Sequence, residues 1–183
     1  MESEAFRAEV KPQEIVHRII WIAFVGVIPM YVCAAYLLLG RAATGDRLLP
    51  SQPLTIPFVI LSVLGAGLAP YMPRIVLPEA RIRQLLSGAS GSQARAGISA
   101  DEYSLLVLLP NFFVGFIVRL AFNESIALYG FVLALLSKSF SAILPFAIVS
   151  FALNLMVPMP LNSVRQRLAG LDLQQGGIPT HPR

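Results

Sequence analysis

The chain has 183 residues, of which 56% are hydrophobic and only 13% are charged, and its formal net charge is +4. Soluble domains carry about 25% charged residues, so this composition is typical of a membrane protein. The basic residues flank long apolar runs, as membrane topology requires, and the positive charge therefore does not indicate nucleic-acid binding. The one cysteine, Cys33, excludes a disulfide framework and a cysteine-based metal site.

Four long apolar runs predict an all-α, polytopic membrane protein with four transmembrane helices and short cytoplasmic surface helices. A span needs roughly 20 apolar residues to cross about 30 Å of hydrocarbon. The predicted spans are residues 19–39, 54–72, 111–136 and 140–157. Together they form a single transmembrane domain over residues 1–158.

The segments around the spans carry helix signals of their own. Pro78 and Gly88 bracket a short helix in the long central loop, and Ser99 with Glu102 has the spacing of a capping box that starts the next helix. Residues 159–173 have apolar side chains at helical spacing, which predicts an amphipathic helix on the membrane surface. Residues 174–183 are predicted to form a disordered tail.

The distribution of lysine and arginine predicts the orientation, because these residues accumulate on the cytoplasmic side. The N-terminal flank, the long loop and the C-terminal segment contain Arg7, Lys11, Arg18, Arg74, Arg81, Arg83, Arg95, Arg165, Arg167 and Arg183. The two other loops contain only Arg41, Arg47 and Lys138. We therefore expect both termini in the cytoplasm.

The third span contains three polar residues, Arg119, Asn123 and Glu124, in an otherwise apolar run. A charged residue near the bilayer midplane costs about 2.5–3.5 kcal/mol to insert, so these side chains should face protein or water. Arg119 and Asn123 share a helix face, whereas Glu124 lies about 140° from Arg119. A direct Arg119–Glu124 salt bridge would therefore be strained. We expect Glu124 to be protonated or hydrogen-bonded to a neighbouring helix.

Small residues indicate where helices pack closely, because they let helix backbones approach each other in lipid. The second span contributes two such residues and the third contributes a stripe of three. The predicted helix-packing residues are Gly65, Gly67, Ala127, Gly130 and Ala134. We expect the stripe on the third span to meet another helix, with Glu124 at its edge.

The segment Asn123-Glu-Ser-Ile-Ala-Leu-Tyr-Gly-Phe-Val-Leu-Ala-Leu-Leu136 resembles the carboxylate-bearing outer helix of the proteolipid (c) subunits of rotary ATP synthases. The resemblance implies that Glu124 matches the ion-binding carboxylate of that family, and it implies a helix type rather than a ring. The whole chain resembles a loose group of uncharacterised small bacterial four-helix membrane proteins. That likeness implies a location in the bacterial inner (cytoplasmic) membrane.

Three functions remain open. The first is a non-catalytic accessory or structural subunit of a larger membrane complex, such as a bioenergetic one. The second is a proton- or ion-handling protein that uses Glu124, with Arg119 tuning it. The third is a lipid- or pigment-binding protein, for which His17 at the membrane edge is a candidate ligand.

Sequence motifs argue against several other functions. The chain has no phosphate loop, nucleophile triad, metal cluster or dinucleotide fingerprint. We therefore expect no enzyme activity, no catalytic residues, no metal and no cofactor. The expected partners are the lipid bilayer and other membrane-protein subunits, without nucleic acid.

Overall fold

The computed structural model describes residues 3–40, 53, 55–90 and 98–176. Within these residues the chain forms α-helices and one short 3-10 helix, Phe140–Ile143, and no β-strand. The α-helices are α1 Glu4–Leu39, α2 Thr55–Leu68, α3 Met72–Val76, α4 Glu79–Ser90, α5 Ala100–Ser137, α6 Leu144–Leu155 and α7 Pro160–Gly176. The predicted all-α class is confirmed.

Two of the described helices, α1 and α5, are long and apolar enough to cross a membrane. They contain 36 and 38 residues, or about 54 and 57 Å at 1.5 Å per residue. A third candidate exists only if Phe140–Leu155 and Pro160–Gly170 count as one bent span, and α2 is a shorter apolar helix of 14 residues. By length and composition, the described part of the chain therefore has two or three candidate spans.

Both long helices start earlier than the apolar runs predict. Helix α1 starts at Glu4, and Phe6 and Val10 on its added segment are buried in a core, so tertiary packing extends the helix. Helix α5 starts at Ala100, directly after Ser99 of the predicted capping box, and continues without a break through Pro110. The lost backbone hydrogen bond at a proline does not end this helix.

The shorter helices also differ in extent from the prediction. Helix α4 continues past the predicted stop at Gly88 to Ser90. Helix α7 includes the first three residues of the segment predicted as a disordered tail and ends at Gly176. Residues 177–183 lie outside the described part of the chain, so the prediction for them is untested.

The chain divides into two compact units. We call the first the terminal unit; its described residues lie within Met1–His17, Leu77–Val114 and Pro158–Arg183. We call the second the apolar unit; its described residues lie within Arg18–Val76 and Gly115–Val157. Helices α1 and α5 each contribute a segment to both units.

The core of the terminal unit is made from four helices. Its buried residues are Phe6, Val10, Leu77, Ile82, Leu108, Leu109, Leu161 and Val164. The apolar faces of α4 and α7, predicted to lie on the membrane surface, thus pack against protein. Their amphipathic patterns are satisfied within this unit, and contact with a membrane surface stays a prediction.

Glu102 joins the starts of α1 and α5 within the terminal unit. It accepts hydrogen bonds from the backbone N–H and hydroxyl of Ser99, at 2.9 and 3.0 Å, and Ser99 Oγ accepts one from its backbone N–H at 3.3 Å. The predicted capping box is therefore confirmed. The same carboxylate accepts the backbone N–H and hydroxyl of Ser3, at 2.6 and 3.0 Å, while Ser3 Oγ caps the backbone N–H of Phe6.

These hydrogen bonds stabilise the charged form of Glu102. Those from the backbone N–H groups of Ser3 and Ser99 contribute most, and together they lower the pKa of Glu102 from 4.5 to about 2. Glu102 lies nine residues before the apolar crossing predicted from residue 111. A single ionised side chain thus satisfies the N-termini of two helices.

The core of the apolar unit is formed by α1, α5, α6 and the 3-10 helix. It includes Ile28, Ala35, Ile126, Leu133, Ile143 and Phe146. In contrast to this core, the outer apolar side chains of the unit remain exposed, including Leu37 at 80% and Met156 at 73%. Such exposure is expected of a surface that lipid or another apolar protein covers.

Candidate intramembrane polar site

Glu124 on α5 is paired with Tyr31 on α1. The phenolic O–H of Tyr31 donates a hydrogen bond to Oε1 of Glu124 at 2.8 Å, and both side chains are half-buried. The ring of Tyr31 also packs against Phe131, with ring centroids 5.8 Å apart. The neighbouring helix that the sequence predicted as the partner of Glu124 is therefore present in this chain.

Arg119 is separate from that pair. Within the described residues it forms no ion pair with Glu124, as helical geometry predicts, and its buried Nε has no hydrogen-bond partner. A guanidinium is always charged and carries five N–H donors. The buried Nε–H of Arg119 is therefore able to donate a hydrogen bond to a further polar group.

Asn123 connects α5 to α6. The hydroxyl of Ser150 donates a hydrogen bond to the backbone carbonyl of Asn123 at 2.7 Å, and both residues are buried. The side-chain Oδ1 of Asn123 has no partner in the described structure. Asn123 thus presents an unpaired acceptor in the interior of the apolar unit.

Asn154 is the second buried amide of the site. Its backbone carbonyl accepts a hydrogen bond from Nε1 of Trp21 at 3.0 Å. Its side chain is 0% exposed, and neither Oδ1 nor Nδ2 has a partner in the described structure. A buried unsatisfied polar group costs about 1–3 kcal/mol, and ordered water commonly satisfies such groups.

These polar residues occupy neighbouring turns of α5 and α6. Gly130 meets Phe146 and Asn123 meets Ser150, so the two helices run in opposite directions. One turn further along α6 from Ser150 is Asn154, and one turn back along α5 from Asn123 is Arg119. The interface therefore combines unpaired donors and acceptors, an arrangement that suits water better than a bare cation.

The small-residue stripe of α5 packs tightly. Ala127 and Ala134 are 0% exposed and belong to the core of the apolar unit. Gly130 is also buried, and a Cβ added there would overlap the side chain of Phe146. A close approach that the sequence did not predict occurs at Gly115, whose added Cβ would lie 3.2 Å from Cα of Pro73.

The two predicted packing glycines of α2 differ. Gly65 is buried, and an added Cβ would lie 3.9 Å from the backbone oxygen of Phe122, an ordinary contact. Gly67 is exposed, and an added Cβ would meet nothing within 4 Å. Close packing at Gly67 is therefore not provided by the described part of this chain.

His17 lies in the terminal unit. It is buried, and its ring packs against Phe113 with ring centroids 4.4 Å apart. Packing against the ring of Phe113 is sufficient to explain why His17 is buried, and a bound pigment is not needed for this. A role in pigment binding stays a prediction.

No protein family, curated protein or solved structure matches the chain. Sequence reasoning missed Tyr31 as the partner of Glu124, because its position resembles that of other aromatic residues in apolar runs. Ser150 and Asn154 could have been found, because they are polar residues four apart in an apolar span.

Proposed function

We propose that this chain is a non-catalytic accessory subunit of a larger membrane complex. The observation that carries the proposal is the uncovered surface of α2, of which only Ser62 and Gly65 are buried in the chain. In the proposed topology four helical segments cross a bacterial inner membrane, with both termini in the cytoplasm.

The three chain segments that make up the terminal unit support that topology. It combines the N-terminal flank, the long loop and the C-terminal segment, which are the three regions that the distribution of lysine and arginine assigns to the cytoplasm. Segments that pack together must lie on the same side of a membrane. An odd number of crossings between any two of these regions would be incompatible with this packing.

The face of α2 formed by Ile60, Leu64 and Gly67 supports the accessory role. These residues are spaced by four and three, so they share one face of the helix, and all three are exposed. In lipid, close approach at a small residue is a main source of helix association. A helix of another subunit would supply the contact at Gly67 that the described residues of this chain do not make.

Purification in a mild detergent, followed by identification of co-purifying proteins, tests this proposal. Stoichiometric partners are expected with the wild-type chain and should be lost with Gly67→Leu, which has space for its side chain in the isolated chain. Gly26→Leu is the matched control, because an added Cβ at Gly26 also meets nothing within 4 Å. A monodisperse chain without partners would contradict the accessory role.

The second candidate is a proton- or ion-handling protein that uses Glu124. The specific observation in its favour is the polar interior around this helix. Glu124 is half-buried beside the Tyr31 hydroxyl, and Arg119 and Asn123 on α5 and Asn154 on α6 have buried atoms without a partner in the described structure. Water held by these atoms would hydrate the interior of the apolar unit.

Reaction with a hydrophobic carbodiimide tests this second candidate. Modification of Glu124 that raised pH or Na⁺ suppresses is expected for an ion-carrying carboxyl. Reconstituted vesicles should then show proton or Na⁺ flux that Glu124→Gln abolishes. If Glu124→Gln leaves both flux and subunit assembly unchanged, neither role belongs to this residue.

A further inference from the structure

A groove of about 460 Å³ opens between α1 and α7 in the terminal unit. Its floor is apolar and consists of Phe6, Val10 and Leu161, which are all buried. The groove thus offers an apolar base inside the more charged of the two units. No part of the candidate intramembrane site contributes to it.

The rim of the groove is mainly basic. Arg7, Lys11 and Arg165 line it together with Asn162 and one carboxylate, Glu14. Arg7, Lys11 and Glu14 are spaced by four and three, which places them on one face of α1. The lining of the rim therefore contains three basic side chains and one carboxylate.

The start of α7 adds to the positive potential. Leu161 and Asn162 lie in its first turn, directly after the first helical residue, Pro160. The first N–H groups of a helix have no partner within the helix, and the helix dipole is positive at this end. This 17-residue helix therefore favours an anion where the basic side chains also converge.

Exposed apolar residues next to the groove indicate that it lies close to a membrane surface. Ile15 and Val16 are 50% and 48% exposed, although they belong to the terminal unit. Lys11 and Ile15 are one turn apart on the same face of α1, and four residues of helix span about 6 Å. That distance matches the headgroup layer, which is about 5–8 Å thick on each side of the hydrocarbon.

We propose that this groove binds the phosphate headgroup of an anionic phospholipid. Arg7, Lys11 and Arg165 contact the phosphate, and the apolar floor receives the adjoining glycerol and the start of an acyl chain. Free phosphate has no apolar part that could contact the apolar floor, whereas a phospholipid has one. A lipid is therefore the favoured source of the anion. Basic pockets on the cytoplasmic side of membrane proteins have this chemistry.

Lipid retention in native mass spectrometry tests the proposal with the full chain. The protein is reconstituted with equal amounts of phosphatidylglycerol and phosphatidylcholine, released from the bilayer, and examined for bound lipid. Wild-type protein should retain phosphatidylglycerol. Each basic residue removed should weaken retention about fivefold, so Lys11→Gln with Arg165→Gln should weaken it about 25-fold.

The controls separate this site from general surface charge. Arg81→Gln with Arg83→Gln removes two exposed cations of α4 in the same unit but outside the groove, and retention should stay unchanged. Lys11→Arg with Arg165→Lys keeps the charge and should retain lipid within about twofold, which excludes misfolding as the cause of a loss. Equal retention of the two lipids, release of phosphatidylglycerol by millimolar inorganic phosphate, or full retention by the glutamine variant would each overturn the proposal.

Discussion

The terminal unit and the apolar unit differ in how many of their large apolar side chains are exposed. Among the large apolar residues that are exposed in the described structure, only Ile15, Val16 and Val114 belong to the terminal unit, and all three lie within three residues of its boundary. The apolar unit leaves whole helix faces exposed. The large apolar side chains of the terminal unit are thus mostly covered by the chain itself, whereas those of the apolar unit leave a surface of the kind that lipid or another apolar protein covers.

The two units also differ in how they satisfy buried polar groups. In the terminal unit, Glu102 accepts hydrogen bonds from Ser3 and Ser99 and caps two helices. In the apolar unit, Asn123 and Asn154 are buried with side-chain atoms that have no partner in the described structure. Glu102 is thus hydrogen-bonded through both carboxylate oxygens, whereas the two buried amides of the apolar unit have side-chain atoms that the described residues leave unpaired.

The largest effect is expected at the tight contact in the apolar unit. Gly130→Ala places a methyl group into the Phe146 side chain and should destabilise the protein by about 1–3 kcal/mol through overpacking. Gly67→Ala fills open space and should be neutral or stabilising by up to about 1 kcal/mol. Thermal unfolding in detergent compares the two. Equal effects would show that the two glycines have equivalent surroundings.

The next effect concerns the double cap of the terminal unit and depends on pH. The folded-state pKa of Glu102 is lowered to about 2, so its charged form stabilises the fold above about pH 4.5. That contribution is lost as the pH falls from about 4.5 towards 2. Glu102→Gln should therefore lower the unfolding midpoint at pH 7, and the difference from wild type should shrink below pH 4.5.

Asp101→Asn is the matched control for Glu102→Gln. Asp101 is the adjacent carboxylate in the first turn of α5, but it is exposed. Its substitution should change the unfolding midpoint less at every pH. A Glu102→Gln difference that is the same at pH 7 and pH 3 would refute the cap as described.

A smaller effect is expected for the hydrogen bond between Tyr31 and Glu124. Side-chain hydrogen bonds inside membrane proteins contribute about 0.6 kcal/mol on average and about 1.7 kcal/mol at most. A double-mutant cycle with Tyr31→Phe and Glu124→Leu, which removes the acceptor, should give a coupling energy in this range. The ring of Tyr129 packs against Phe58, and Tyr129→Phe should show no coupling to Glu124→Leu.

The smallest effect is expected for an ion pair of the terminal unit. Nη2 of Arg167 lies 3.0 Å from Oε1 of Glu79, and the side chains are 30% and 47% exposed. Exposed ion pairs contribute about 0–1 kcal/mol and are screened by salt. Glu79→Gln should therefore change stability by less than about 1 kcal/mol, and 1 M NaCl should remove the difference. A larger, salt-independent loss would show that this contact is shielded from water.

Features with a local cause were predictable from the sequence. The spacing of Ser99 and Glu102 identified the cap of α5, and the apolar runs located the central parts of α1 and α5. The angle of about 140° around the helix axis between Arg119 and Glu124 was the basis for the correct prediction that these two side chains do not form an ion pair. The stripe of Ala127 and Ala134 followed from residue size alone.

Features that depend on distant residues were not predictable. Ser3 meets Glu102 across 99 positions of sequence, and Tyr31 meets Glu124 across 93. The neighbouring sequence does not distinguish Gly65 from Gly67, because tertiary packing determines which face of α2 contacts α5. The early start of α1 has the same origin, since Phe6 gains its buried position from a core shared with α7.

In the topology that we propose, the three segments of the terminal unit lie together on the cytoplasmic side of the membrane. Labelling of single cysteines by a membrane-impermeant maleimide tests it most directly, in a Cys33→Ala background. Exposed positions in the three segments are Ala8, Gln84 and Gln166, and Lys138 lies in the loop between α5 and α6. In intact spheroplasts only Lys138→Cys should be labelled, and the other three cysteines should react only after the membrane is permeabilised. Labelling of Ala8→Cys, Gln84→Cys or Gln166→Cys from outside would contradict the proposed topology.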